Sequence, residues 1–206
     1  FVLLNEHEQS SEADTLALIV GDASGKSITG AMLMAIARSI VRSEARNHIL
    51  PEEVLRATNR WIAEDVPERS FVALSYATFD ITNKRLSLSN GGQLAPFLRR
   101  VDGSLDYINV PGPALPLGAM RSVQYASRDV QLEPGDLVLF YTDGIVEAQN
   151  TDRELFGFER LEALVRTYGA YEPHELNQII LQEIAEFMGS MPQHDDMTIV
   201  ALRIAS

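Results

Sequence analysis

The sequence of 206 residues has no cysteine, which excludes a disulfide framework, a thiolate zinc site and a cysteine nucleophile. No apolar run reaches the ~18 residues that span a bilayer, and no signal peptide opens the chain. A cytoplasmic domain without membrane contact is therefore expected. Basic residues are scarce, with 17 Lys and Arg against 29 Asp and Glu and a formal net charge of −12. Nucleic-acid backbones are held by clustered Lys and Arg. The only adjacent arginines, Arg99 and Arg100, make no such cluster, so nucleic acid is excluded as a partner. What remains is ordinary globular composition, 46% hydrophobic and 22% charged, which argues against wholesale disorder. The chain begins at Phe1, without methionine and inside an apolar run, so a fragment of a longer protein is expected.

Short apolar runs separated by turn residues predict a sequence of strands and helices. FVLL (Phe1–Leu4) precedes an acidic loop, and TLALIVGD (Thr15–Asp22) reads as a buried strand ending in a turn. The Ala-, Leu- and Met-rich segment Ile28–Ala45 predicts a helix whose first half, apolar on nearly every face, should be deeply buried. There Met32 and Met34 are expected to be core packing. Pro51 opens a second helix through Asp65, since proline is preset for a first helical turn, and Trp61 is expected to pack one of its faces. A meander follows: Phe71–Asp80, Arg85–Asn90 and Gln93–Arg100, with turns at ITNK and GG. LDYINV, SVQYASRDVQL, LVLFYTDG (Leu137–Gly144) and MTIVALRI (Met197–Ile204) read as further strands. Helices are expected at Arg160–Tyr168 and at His174–Met188, the latter entered through Pro173. No repeat, linker or low-complexity tract divides the chain, so residues 1–206 read as a single domain. Antiparallel strands with helices in separate pairs favour a layered α+β architecture over a βαβ alternation.

Three acidic positions adjoin buried strands. Asp22 follows LALIVG, Asp143 follows LVLFYT, and Asp195 with Asp196 precedes MTIVAL. Each alone is as well explained as a turn residue. If the strand ends converge, the carboxylates need a cation or retained protons to offset their repulsion, and all-oxygen ligands select hard ions such as Mg²⁺ or Mn²⁺. A competing reading comes from GKS at Gly25–Ser27, which follows a strand as in a phosphate-binding P-loop. That pattern needs its first glycine at position 20, where Val20 stands. Asp22 would also face the phosphate with a negative charge. The P-loop reading fails on both grounds.

The set GDASGKSITGAMLMA, SNGGQLAPFLRR, PLG, LEPGDLVLFYTDGIVEAQN with LFG, and HDDMTIVALRI, in this order from about residue 15 to 204, resembles the metal-dependent PPM protein phosphatases. The similar branch is that of the sporulation stage II protein E and the stress-response sigma-regulator phosphatases. The resemblance implies a four-layer α-β-β-α sandwich: two antiparallel sheets flanked by helical pairs. It also implies hydrolysis of phosphoserine or phosphothreonine by water activated between two divalent cations, Mn²⁺ or Mg²⁺. Carried over residue by residue, Asp22 would bridge the two metals and Ala23 would donate its backbone carbonyl. Asp143 and Asp195 would ligate the metal shared with Asp22, and Asp196 would be their neighbour beyond the ligands.

The implied substrate is a phosphorylated regulator of the anti-anti-sigma type, with a sensor or receiver domain upstream in the longer protein. The sequence departs from the family in three places. The acidic motif that relatives carry upstream is absent, and Glu6, Glu8 and Glu12 do not replace it, so the second metal site is expected to be incomplete. Ser27 stands for the usual glycine, the small-residue pattern being shifted to Gly30, and Gln93 stands for the histidine of the NAGH turn. These losses keep a second reading open, a phosphatase-like adaptor that binds a regulator without turnover. His194 could assist proton transfer but reads better as a loop residue. Lys26 suits substrate phosphate and a solvated turn equally.

Overall fold

A computed structural model describes residues 2–6, 15–25, 27–65 and 70–205. The chain divides into two compact units, Phe1–Gln93 with Asn109–Gln131, and Leu94–Ile108 with Leu132–Ser206. Each is one antiparallel sheet with its own helices, so the expected fold class, α+β with helices in separate pairs, is what is found.

The first unit has a five-stranded sheet in the order β1 (Val2–Glu6), β2 (Thr15–Ala23), β3 (Val72–Asp80), β4 (Arg85–Gly91) and β7 (Ser127–Gln131). Its helices are α1 (Ser27–Asn47) and α2 (Pro51–Asp65). Helix α2 starts where proline places it, with Glu52 and Glu53 in the first turn, where carboxylates suit the positive end of the helix. Helix α1 buries a stripe at four-residue spacing, Leu33, Ala37, Val41 and Ala45, against Ala17 and Ile19 of β2 and Leu74 and Tyr76 of β3. A helix on a sheet buries one stripe only. The expectation of deep burial for the first half of α1 is therefore wrong: Ile28 is 75% exposed and Met32 60%. Met32 is not core packing, whereas Met34 does pack against the core. Trp61 is also half exposed, its indole N–H donating to Glu44 Oε1 at 3.0 Å on α1.

The second unit has a four-stranded sheet in the order β6 (Leu105–Tyr107), β5 (Phe97–Arg99), β8 (Leu137–Tyr141) and β9 (Ile199–Arg203). Helices α4 (Gly157–Tyr168) and α5 (Pro173–Met188) cover it, and a one-turn helix α3 (Asp143–Val146) follows β8. Phe97, Leu139 and Tyr141 form its core with Leu161, Val165, Leu176 and Ile180. Two expected strands are shorter than their alternation suggests. Gln93–Arg100 contributes only β5, since Pro96 has no N–H to donate and Asn90 holds Gln93 in a turn. In SVQYASRDVQL, Val123 and Tyr125 are buried but only Ser127–Gln131 joins the ladder. No helix among the described residues is long and apolar enough to cross a membrane.

Tyr76 in the first core is fully buried and its hydroxyl has no hydrogen-bond partner among the described residues. Burial alone pushes its pKa up from near 10 to about 12. The neutral phenol is favoured in the folded state, so its contribution to stability is intact below pH ~10 and is lost as pH rises from ~10 towards ~12. Tyr76→Phe removes an unsatisfied hydroxyl. It should leave stability at pH 7 unchanged or raised by about 1 kcal/mol, and should move alkaline unfolding to higher pH. Melting curves at pH 7 to 11.5 for parent and variant measure both. A loss of more than ~1 kcal/mol at pH 7 would mean that the hydroxyl has a partner after all.

Candidate functional site

In the first unit Asp22 lies one residue before the end of β2, half-buried and in register with Ala73 of β3. The chain then leaves the sheet through a turn that is tied down twice. Ser24 N–H donates to the Phe71 carbonyl at 2.9 Å, and Ser24 Oγ accepts the Phe71 N–H at 2.8 Å. Gly25 has φ +104°, a backbone conformation that favours glycine. Its carbonyl sits so close to α1 that a Cβ at Gly30 would lie 2.5 Å from it, and 3.9 Å from the Ala23 carbonyl oxygen. Gly30 thus lets the first turn of α1 seat directly beneath the backbone that carries Asp22 and Ala23. Ser27 is the first residue of α1, and Glu6 is the last of β1. Glu8, Glu12 and Lys26 lie outside the described residues.

The turn Asn90–Gln93 belongs to the same end of this sheet. Asn90 Nδ2 donates to the Gln93 carbonyl and Asn90 Oδ1 accepts the Gln93 N–H, both at 2.8 Å. The Gln93 side chain donates to the Ala73 carbonyl at 3.3 Å, the residue paired with Asp22. At the position where relatives carry histidine, this chain therefore has an amide tied to backbone.

In the second unit Asp143 opens α3 directly after β8, and Asp195 and Asp196 lie shortly before β9. Strands β8 and β9 are antiparallel neighbours with Tyr141 opposite Ile199, which brings the two aspartate turns to one sheet edge. Thr142 clasps them together. Its N–H donates to the Thr198 carbonyl at 3.1 Å, and its Oγ accepts the Thr198 N–H at 3.0 Å and donates to the Asp196 carbonyl at 3.2 Å. Gly144 allows the closest approach, since a Cβ there would lie 2.4 Å from the Asp196 carbonyl oxygen. Asp143 Oδ1 accepts the Gly144 N–H at 3.0 Å and Asp195 Oδ1 accepts the Asp196 N–H at 2.8 Å. Each carboxylate thereby fixes its own turn with one oxygen. The second oxygen of each accepts no hydrogen bond among the described residues. Asp143 is half-buried and Asp195 exposed. Asp196 takes part through its backbone, and its side chain is exposed. His194 is exposed and has no hydrogen bond or ion pair among the described residues.

Ser24, Thr142 and Gly144 escaped the reading of the sequence. Each stands inside a segment that it singled out, GDASG or YTDG. What they do depends on Phe71, Thr198 and Asp196, residues 47 to 56 positions away, and local sequence does not reveal such contacts. The one available signal was the small residue flanking each aspartate: turns that hold a carboxylate in place need a hydroxyl or a missing side chain beside it.

Comparison with known proteins identifies the family and the fold. The family model for Stage II sporulation protein E (SpoIIE) matches residues 12–205. Protein IcfG of Synechocystis sp. is 27% identical over 217 residues, covering 92% of this chain and 34% of that protein. Phosphoserine phosphatase RsbU of Bacillus subtilis is 22% identical over 192 residues, covering 93% of this chain and 56% of that protein. The chain thus spans little more than half the length of these relatives at most. Among solved structures, that of the RsbU and RsbW domains of Rv1364c from Mycobacterium tuberculosis superposes with a TM-score of 0.81 at 25% identity, over 99% of this chain and 55% of that one. The fold is that of the PP2C-type phosphatases, as the resemblance implied.

Proposed function

The chain belongs to the stage II sporulation protein E (SpoIIE) family, and from that premise we propose that it is a Mn²⁺- or Mg²⁺-dependent phosphatase that hydrolyses phosphoserine or phosphothreonine on a regulatory protein. Asp22 of the first unit and Asp143 and Asp195 of the second would share one divalent cation, with the Ala23 carbonyl as a further ligand. A set of three carboxylates fits such an ion, and its oxygen-only chemistry excludes the softer thiolate-seeking metals. A second cation, shared through Asp22, would complete the centre. The observation that carries the reading is the clasp of Thr142 and Gly144 on the Asp196 backbone, which holds two carboxylates side by side, each with one oxygen unused.

A divalent cation in this position supplies Lewis acidity, lowering the pKa of water and offsetting charge on the transferring phosphoryl group. The chain supplies the rest. Asp143 and Asp195 are held in one orientation by the backbone N–H groups of Gly144 and Asp196, so little conformational freedom is lost on binding. With no cysteine in the chain, no phosphocysteine can form on it, and direct attack by water would need none. The substrate is proposed to be a phosphorylated protein of the anti-anti-sigma type in the cytoplasm, with the phosphatase placed behind a sensor or receiver domain as one domain. The name of RsbU, a phosphoserine phosphatase, supports a phosphoserine substrate.

The test is release of inorganic phosphate from a phosphoserine peptide with and without Mn²⁺. Turnover that requires Mn²⁺ and falls at least 100-fold in Asp22→Asn is the expected result. Absence of turnover in the parent at saturating Mn²⁺, with the protein folded, would favour the adaptor reading instead.

A further inference from the structure

We propose that Asn59, on helix α2 and remote in sequence from Asp22, Asp143 and Asp195, is a positioning residue for the turn that presents Asp22 and the Ala23 carbonyl. This rests on the reading of Asp22 and Ala23 as metal ligands. Asn59 is 1% exposed, and its amide is spent wholly on the backbone of one distant segment. Nδ2 donates to the carbonyls of Met120 at 3.0 Å and Arg121 at 3.4 Å, and Oδ1 accepts the Gly118 N–H at 2.9 Å. Gly118 has φ +90°, and a Cβ there would lie 2.9 Å from Ile62 Cγ2, also on α2. The segment is pressed onto the helix at a point where only glycine fits.

That segment continues the sheet where β4 has run out. Strand β4 ends at Gly91, opposite Leu74, which leaves Val72 without a β4 partner. Leu117 takes the place, exchanging both backbone hydrogen bonds with Val72 at 2.8 and 2.9 Å. Val72 is in register with Ala23 on its other side, and the preceding residue, Phe71, holds Ser24 through both of its backbone groups. A continuous path of hydrogen bonds thus runs from Asn59 through residues 117–121 and 71–72 to residues 23–24. The 111–120 stretch contains three prolines and two glycines, and Leu117–Val72 is its one bridge to the strands among the described residues. Its position beside β3 is set by the Asn59 amide together with the buried Leu117 side chain and the Tyr125 hydroxyl, which donates to the Leu115 carbonyl at 3.0 Å. Without Leu117, Val72 becomes an edge residue with unpaired backbone groups, and fraying there releases Ser24.

Asn59→Asp in the full 206-residue chain is the test. It keeps the acceptor for Gly118 N–H but turns a donor into an acceptor facing two carbonyls. Two quantities are read: amide hydrogen exchange in metal-free protein, and the Mn²⁺ dissociation constant by calorimetry. Exchange at Leu117, Phe71 and Ser24 should accelerate about tenfold or more, while Ala17 and Thr78, at the far end of the same strands, stay protected. Mn²⁺ binding should weaken ~10-fold, within the range found for groups that orient metal ligands. Unchanged protection at Ser24 and Phe71, or equal acceleration at all five amides, would overturn the proposal, because a general loss of stability moves all five. Should Asn59→Asp not fold, Asn59→Ser, too short to span to the segment, is judged by the same amides. Asp22→Asn serves as the separate control. If it binds Mn²⁺ as tightly as the parent, the metal reading fails, while the exchange results still decide the role of Asn59 in holding the turn.

Discussion

Asp143→Asn should abolish most of the stabilisation that Mn²⁺ confers while leaving the metal-free protein as stable as the parent or more so. Asparagine keeps the Oδ1 that accepts the Gly144 N–H and remains a good turn residue. It removes one of two adjacent negative charges in the second unit, with Asp22 proposed as a third, so repulsion in the metal-free state is relieved. The loss of a carboxylate at the start of a one-turn helix costs only a few tenths of a kcal/mol in the opposite sense. The parent should gain roughly 2.7 kcal/mol when free Mn²⁺ is ~100 times its dissociation constant. The variant should gain much less, and its Mn²⁺-dependent turnover should fall by two orders of magnitude or more. Thermal melts with and without Mn²⁺ separate a metal site from three unrelated turn residues. An equal shift in both proteins would remove Asp143 from the site.

Gly144→Ala should be the most damaging single-methyl change at this edge. The added Cβ would meet the Asp196 carbonyl at 2.4 Å and the Asp195 carbonyl carbon at 3.5 Å. Neither can yield by a rotamer change, because both belong to backbone. Relief requires the Asp195–Asp196 turn to back away, which strains the bonds of Thr142 to Thr198 and Asp196. Overpacking of this kind costs about 1–3 kcal/mol, and the displaced turn carries Asp195 with it. The expected result is a lowered melting temperature together with weakened Mn²⁺ binding. Gly157→Ala is a comparison, since a Cβ there meets nothing within 4 Å; its φ of +80° makes any loss one of backbone strain alone, and Mn²⁺ affinity should not move. If Gly144→Ala bound Mn²⁺ normally, the clasp would not matter to the site.

Much of this was legible in the sequence where the determinant is local. Helix α2 begins at Pro51 and α5 at Pro173 because proline and neighbouring glutamates mark a first turn. Strand β8 was visible as five consecutive apolar residues, all buried, and the aspartates at the ends of β2 and β8 stood out as acidic residues following such runs. What stayed hidden depends on partners far along the chain. Helix α1 is apolar on several faces, and only the sheet beneath it selects Leu33, Ala37, Val41 and Ala45 over Ile28, Met32 and Ile36. Trp61 was expected to pack one face of α2; its indole N–H is satisfied at the surface by Glu44, consistent with an aromatic that carries a polar edge. Asn59 looked like any helix asparagine. Its partners at Gly118, Met120 and Arg121 lie 59 to 62 positions away, and no local pattern announces them.

Asp22, Asp143 and Asp195 are proposed to hold one divalent cation. Crystals soaked in Mn²⁺ and measured for anomalous scattering at the manganese edge test it without reliance on substrate. An anomalous peak is expected in contact with a carboxylate oxygen of all three aspartates, with Ala23 contributing its backbone carbonyl. A fully soaked crystal with no peak there, or with manganese on Asp143 and Asp195 while Asp22 points elsewhere, would contradict it.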